Sequence, residues 1–124
     1  MVEASIIAVV HRYLDAVRES GIPVDGAVVY GSHARGDAGP DSDIDLVVIS
    51  SLFDPPRDRR DTGLLWRLRA RIDSRVEPVA VGKKQWAEDQ GTPLICIARQ
   101  EGEPISLNEA TFPTAETQLS PEFE

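Results

Sequence analysis

The chain of 124 residues has room for one domain, and its hydrophobic fraction of 41% suits a modest core, so we expect no second catalytic domain. The formal net charge of -8 argues against a protein that coats nucleic acid, because such a protein needs a basic surface. A single cysteine excludes an internal disulfide, and the apolar start lacks the features of a signal peptide or membrane span, so we expect a cytoplasmic protein.

The first half of the chain contains one helical pattern and two apolar runs. Apolar residues recur at helical spacing from Ile6 to Val17, which predicts an amphipathic helix over residues 3–20. Two β-rich runs follow at residues 27–30 and 44–49, and their nearly continuous apolar character indicates strands buried on both faces. A loop rich in glycine, aspartate and proline separates the two strands.

The second half contains further helices and strands, followed by a polar end. Leu64, Leu68 and Ile72 recur every fourth residue, which predicts a helix with arginines on its outer side. The other predicted elements are a strand at 76–81, a weakly helical stretch at 83–90, a helix at 93–100 with Leu94, Ile95 and Ile97 turned inward, and an edge strand after Pro104. The fold class is therefore α/β or α+β, with a topology that the pattern leaves open.

The composition changes near the end of the chain. Beyond Ser106 the apolar content falls, and Pro, Thr, Glu and Ser become frequent. Such a segment cannot bury enough apolar surface to offset the entropy lost on ordering. We therefore assign residues 1–105 to the domain and expect residues 106–124 to form a tail that is flexible or orders only against a partner.

The first candidate site is a phosphate-binding turn followed by two aspartates. The missing side chain of Gly31 lets a phosphate approach the backbone, and the Ser32 hydroxyl and nearby amides can donate hydrogen bonds to it. Asp43 and Asp45 lie two positions apart on a predicted strand, so both side chains project from one face. Two ionised carboxylates repel each other, and a divalent cation such as Mg²⁺ relieves that repulsion.

Two further charged residues are candidates for the same chemistry. Glu77 lies in an apolar predicted strand, where a carboxylate needs compensation that a metal ion would provide. With two metal ions roughly 3.5–4 Å apart, Glu77 is the candidate base or third ligand. Arg35 follows the phosphate-binding turn closely and is placed to neutralise charge on the phosphates. The alternative interpretations are a surface ion pair of Arg35 with Asp37 and a solvent-facing Glu77 on an edge strand.

The Gly31-Ser32 pair, ten intervening residues and Asp43-x-Asp45 in an apolar strand closely resemble the signature of the DNA polymerase β-like nucleotidyltransferase superfamily, and the chain's small size points to the minimal nucleotidyltransferases. The resemblance implies a small mixed sheet flanked by helices and magnesium-dependent transfer of AMP from ATP, by in-line attack at the α-phosphorus. It also implies that Gly31 and Ser32 hold the triphosphate while Asp43 and Asp45 hold the metal ions. The family usually has aspartate at the third acidic position, whereas this chain has Glu77 followed by Pro78.

Minimal members of this superfamily resemble the antitoxins of toxin–antitoxin pairs whose toxin is a HEPN-domain ribonuclease. The implied acceptor is a tyrosine hydroxyl of the toxin, which loses its activity when adenylylated. Two alternatives stay open. One is an antitoxin that binds its toxin without catalysis, and the other is a transferase for small molecules such as aminoglycosides, in which a homodimer would supply the missing acceptor pocket.

Several other residues have plainer interpretations. His33 is expected to be an ordinary polar residue of a loop, and is not counted as catalytic. Trp66 and Trp86 are expected in the core or in a subunit contact, and Cys96 is expected to be a small buried hydrophobe.

Over half of the basic residues lie in one segment: Arg57, Arg59, Arg60, Arg67, Arg69, Arg71 and Arg75. Their expected role is a solvated helix face paired with Asp58, Asp61 and Asp73, and the alternative is a docking surface for an acidic partner.

Overall fold

The computed structural model describes residues 2–107. Its elements, in chain order, are α1 (Ala4–Glu19), β1 (Gly26–Tyr30), α2 (Ser32–Arg35), β2 (Ile44–Ser50), a short 3-10 turn (Ser51–Phe53), α3 (Arg59–Ile72), β3 (Val76–Gly82), α4 (Lys83–Glu88), α5 (Pro93–Glu101) and β4 (Glu103–Pro104). The tail expected at residues 106–124 lies outside the described residues from position 108 onward.

The four strands form one mixed sheet in the order β3-β2-β1-β4. β1 runs antiparallel to β2 and β4, whereas β2 and β3 are parallel and α3 makes the crossover between them. The expected small mixed sheet with flanking helices is therefore confirmed. The register places Tyr30 opposite Asp45, and Asp45 opposite Glu77, so these three residues form a row across the sheet.

One face of the sheet is covered by α1 and α3. Strand residues Val29, Leu46 and Val48 are fully buried against the apolar faces of the two helices. The helices are also joined by a buried hydrogen bond, in which the Tyr13 hydroxyl donates to the Leu65 carbonyl over 2.7 Å. This face holds the larger part of the core; α1 follows its predicted apolar stripe, whereas α3 buries Leu65, which lies outside the stripe predicted for it.

The other face is covered by the shorter helices α4 and α5. Here Val47, Ile49 and Val81 pack against Ile95 and Ala98 of α5. The row formed by Tyr30, Asp45 and Glu77 lies at the end of this face, and its side chains stay partly exposed. The second face therefore combines a small apolar cluster with an open polar end.

Most predicted elements are confirmed to within a few residues, but three side chains differ from expectation. Ile97 is 44% exposed, because successive helical residues turn by about 100° and Ile97 cannot share the inward direction of Ile95. Trp66 is 46% exposed, which contradicts a place in the core, while the alternative of a subunit contact stays a prediction. Cys96 is only partly buried.

Two other details refine the predictions. β4 pairs with β1 at the sheet edge, but it ends at Pro104 and does not begin after it. None of the helices in the described part combines the length and apolarity that a membrane span requires.

Candidate functional site

The turn after β1 brings the backbone of Gly31 against the carboxylate of Asp45. Gly31 has a positive φ of 76°, a conformation that residues with a β-carbon rarely adopt. A β-carbon at this position would lie 3.2 Å from Cγ of Asp45 and still closer to a carboxylate oxygen. Glycine is thus required twice, once by the turn and once by the approach of Asp45.

The short helix α2 directs free amides toward this turn. The amides of Ala34 and Arg35 donate to the Gly31 carbonyl, whereas those of Ser32 and His33 have no hydrogen-bond partner within residues 2–107. Free amides beside a glycine can donate to phosphate oxygens. The two free amides lie at the start of the short helix α2, and the phosphate-binding role of the turn stays a prediction.

Asp43 and Asp45 form an anionic pair that no basic side chain compensates directly. Asp45 lies within β2, whereas Asp43 immediately precedes the strand. Neither carboxylate forms an ion pair in the described part of the chain. Burial raises the pKa of Asp45 above its ordinary value, and the charges of Asp43 and Glu77 raise it further, although His33 and Arg35 oppose the shift. A bound cation would relieve this repulsion.

Glu77 lies next to Asp45 in the register, but its carboxylate already has a partner. Arg69 of α3 donates to Glu77 Oε2 over 3.2 Å and also donates to the carbonyls of Ser74 and Val76. Within residues 2–107, no group of three acidic, histidine or cysteine side chains surrounds a common metal position. The structure thus brings Glu77 into the row while Arg69 compensates its charge.

Arg35 forms the surface ion pair that was the alternative interpretation. Its guanidinium lies 3.3 Å from Asp37 and 3.7 Å from Glu101 of α5, and its side chain is about half exposed. It remains close enough to lower the pKa of Asp45. Arg35 therefore borders the site without contacting either aspartate.

Two residues that sequence reasoning did not assign to the site belong to its surroundings. His33 is buried, and its Nε2 lies 3.3 Å from the Ser42 carbonyl, which links α2 to the loop before Asp43. The pKa of Tyr30 is raised to about 12, first by burial and then by the carboxylates of Asp45 and Glu77, so its hydroxyl stays protonated. Only the strand register reveals that Tyr30 faces these acids.

A cleft of about 580 Å³ lies behind α2, between the start of α1 and the loop over residues 36–40. His33 and Arg75 contribute to its wall, but the carboxylate row is not part of its lining. We therefore place the candidate chemistry at the Asp45 row and not in this larger cleft.

The sequence similarity to a known protein family covers the part of the chain that contains the candidate site. Residues 10–90 match the family described as nucleotidyltransferase domain. This match spans both the Gly31-Ser32 turn and the Asp43–Asp45 pair, and it includes Glu77. No curated protein sequence matches significantly.

Several solved structures share the fold at low sequence identity. A nucleotidyltransferase structure from Sulfolobus solfataricus has a TM-score of 0.55 at 16% identity, covering 79% of this chain and 77% of that one. A toxin–antitoxin complex with AMP-PNP has a TM-score of 0.53 at 18% identity, covering 82% and 76%. A mutant of the toxin–antitoxin MntA-HpeT has a TM-score of 0.52 at 16% identity, with the same coverage. At these identities the likeness shows the fold.

Proposed function

Because the chain belongs to the nucleotidyltransferase domain family, we propose that it transfers AMP from ATP to a hydroxyl group with the help of Mg²⁺. The observation that carries this proposal is the Asp43–Asp45 pair, which forms no ion pair within residues 2–107 and whose Asp45 carboxylate lies against the backbone of Gly31. A paired anionic site beside free amides suits a triphosphate that arrives with a divalent cation.

Each residue of the site has a proposed role that follows from its position. The Ser32 hydroxyl and the amides of Ser32 and His33 bind phosphate oxygens, beside the Gly31 backbone that Asp45 approaches. Asp43 and Asp45 would hold Mg²⁺, because carboxylate oxygens are the ligands that this hard cation prefers. Bound Mg²⁺ supplies charge stabilisation on the phosphates and acidifies the acceptor hydroxyl.

The proposed reaction is an in-line displacement at the α-phosphorus of ATP. The bond between the acceptor oxygen and the α-phosphorus forms while the bond to the pyrophosphate leaving group breaks. The acceptor proton passes to a carboxylate of the row, for which Glu77, which Arg69 contacts, is the candidate base. Arg35 lies at the border of the site, where it can neutralise charge on the departing pyrophosphate.

The proposed acceptor is a tyrosine hydroxyl of a partner toxin, so that the chain acts as an antitoxin. Two observations support this proposal: the fold is shared with toxin–antitoxin structures, and one of these contains the ATP analogue AMP-PNP. The mutant among them carries two Asp-to-Glu substitutions two positions apart, the spacing that separates Asp43 from Asp45 here. A HEPN-domain toxin is the partner class that the sequence resemblance implies.

The proposal is tested by incubating the full chain with Mg²⁺, ATP labelled at the α-phosphate and the protein encoded by the neighbouring gene. We expect label on a partner tyrosine, and loss of labelling with Asp43→Asn and with Asp45→Asn. Asp41→Asn is the matched control, because Asp41 is an exposed acid of the same loop outside the carboxylate row. Equal labelling by wild type and both site variants would rule out the proposed transfer at this site.

A second candidate function is neutralisation of the partner by binding alone. The ion pair between Arg69 and Glu77 favours it, since it keeps the third carboxylate from a metal ion. Growth rescue by the Asp43→Asn and Asp45→Asn variants, in cells that express the toxin, would support this alternative. Loss of rescue in both variants, with rescue kept by Asp41→Asn, would support the enzyme.

A further inference from the structure

The outer edge of β3 is open within residues 2–107, because β3 is the last strand of the sheet on that side. The Arg75 carbonyl accepts from the Ile44 amide of β2. The backbone amides and carbonyls of every second residue along β3 therefore also point toward β2. The intervening residues, which include Val76 and Ala80, direct their backbone groups outward. Arg69 occupies the Val76 carbonyl and Pro78 has no amide to donate, so Ala80, a partly exposed residue, is the outward position that can offer both an amide and a carbonyl.

A groove of about 530 Å³ runs between this edge and α3. Its lining residues contain no carboxylate: they are Arg57, Arg59, Thr62, Trp66, Pro78, Val79 and Ala80. The floor is therefore the backbone and small side chains of the strand, whereas the wall is basic and aromatic. The positive charge of this lining contrasts with the formal net charge of the whole chain, which is -8.

The two arginines of the groove have no acidic partner. Arg57 donates only to uncharged oxygens, the Phe53 carbonyl and Gln85 Oε1, and Arg59 forms no ion pair in the described part of the chain. Neighbouring arginines differ, since Arg60 pairs with Asp58 and Arg75 pairs with Asp73. The groove therefore holds two guanidinium groups whose charges remain to be matched by a ligand.

Trp66 supplies an anchor beside these charges. Its side chain is 46% exposed, and its ring stacks on the guanidinium of Arg69 at 4.9 Å. Because Arg69 also holds Glu77 and the Val76 carbonyl, the ring is fixed by a well-anchored neighbour. Tryptophan and arginine are enriched among the residues that contribute most of the binding energy at protein interfaces, and here a half-exposed tryptophan lies next to two arginines.

We propose that this groove binds an extended acidic segment of a partner protein, which pairs with the backbone of Ala80 as an added strand. The carboxylates of the segment bind Arg57 and Arg59, and an apolar side chain of the segment packs on Trp66. A polypeptide fits better than a nucleic acid, since the open edge offers hydrogen bonds to a peptide backbone. No residue of the carboxylate row lines this groove, although Arg69 contacts both Glu77 and the ring of Trp66, and the groove binds whether or not nucleotide is transferred.

The test is selection of random linear peptides, displayed on phage, against the full chain. We expect the selected peptides to be rich in Asp and Glu at alternate positions, with an apolar residue between them. Their synthetic copies are then titrated in fluorescence anisotropy against wild type and against the double variant Arg57→Glu with Arg59→Glu, and we expect affinity to fall by about tenfold or more. Trp66→Ala should give a similar loss.

Arg71→Glu is the matched control, because Arg71 also forms no ion pair within residues 2–107 but lines a different cleft, beside Asp15 and Glu19 of α1. We expect this variant to bind the selected peptides as wild type does. Ala80→Pro removes the amide of the open edge and should weaken binding as well, with circular dichroism as the check that it folds. Peptides without acidic residues, or equal affinity for wild type and the double variant, would overturn the proposal. Displacement of the peptides by poly(U) at similar affinity would overturn it too, by assigning the groove to RNA.

Discussion

The two faces of the sheet contrast sharply, and the contrast separates stability from function. The face under α1 and α3 is apolar along its whole length, whereas the face under α4 and α5 is apolar only at one end. At its other end, Tyr30, Asp45 and Glu77 lie in a row whose like charges raise the pKa of Asp45. Adjacent strand residues such as Asp45 and Leu46 therefore have opposite roles, since they point to opposite faces.

The largest change in the free energy of unfolding should come from a substitution on the face that α1 and α3 cover. Leu46→Ala removes a fully buried side chain and should lower the free energy of unfolding by about 3 kcal/mol, because it deletes apolar contacts and leaves a cavity. Leu52→Ala is the control, because Leu52 is 41% exposed and should cost less than about 0.5 kcal/mol. Chemical denaturation of both variants measures the difference, and equal losses would remove the distinction between the two positions.

Gly31→Ala should have the next largest effect, about 2 kcal/mol, because it combines a positive φ with a collision against Asp45. Gly36→Ala is the matched control. Gly36 also has a positive φ, of 87°, but a β-carbon there meets no atom within 4 Å. Thermal unfolding should rank Gly31→Ala as the more damaging change, and the reverse order would show that the contact with Asp45 is unimportant.

Removing a tyrosine hydroxyl, one from each face of the sheet, should change the free energy of unfolding by a smaller amount. Tyr13→Phe removes the hydrogen bond to the Leu65 carbonyl and should cost about 1 kcal/mol. Tyr30→Phe should cost less, since the Tyr30 hydroxyl donates no hydrogen bond within the described residues. Denaturant titrations of the two variants should therefore differ in midpoint, and identical midpoints would contradict this assignment.

The smallest expected change in the free energy of unfolding is an increase. The pKa of Asp45 is raised above the ordinary 3.8, so the native state binds this proton more tightly than the unfolded chain does. That stabilisation is complete below the ordinary pKa and disappears as the pH rises through the raised value. Asp45→Asn should thus stabilise the metal-free protein at neutral pH, by less than about 1 kcal/mol because the site is partly exposed.

The pH dependence checks the origin of this gain. The advantage of Asp45→Asn over wild type should shrink toward pH 3.8 and below, where Asp45 is protonated in both states. Melting temperatures measured across this range with a chelator present provide the comparison. A gain that is constant with pH would show that charge repulsion is not its cause.

Local patterns in the sequence were sufficient to predict most of the fold. The apolar stripe of α1 and the runs of β1 and β2 are set by neighbouring residues, and so is the turn at Gly31. Asp43 and Asp45 could be recognised because their spacing alone puts them together. The sequence thus predicts the centre of the site.

The rest of the site depends on packing between distant segments. The sequence does not show that Arg69 reaches Glu77 from α3, or that Tyr30 stands opposite Asp45, since the crossover and the register decide both contacts. The inward direction predicted for Ile97 was wrong, and Trp66 lies outside the core, for a related reason: hydrophobicity indicates that a residue tends to be buried, but the direction in which it points is fixed by the helix turn.

The central claim is that the Asp43–Asp45 pair and the Gly31-Ser32 turn together bind a metal-bound triphosphate. The most direct test is isothermal titration calorimetry with an ATP analogue that has a methylene group between its α- and β-phosphates, in the presence and absence of Mg²⁺. We predict binding that requires Mg²⁺ and that weakens by about tenfold or more in Asp45→Asn, with Asp41→Asn unchanged. Binding of equal strength to wild type and Asp45→Asn, or binding that ignores Mg²⁺, would contradict the claim.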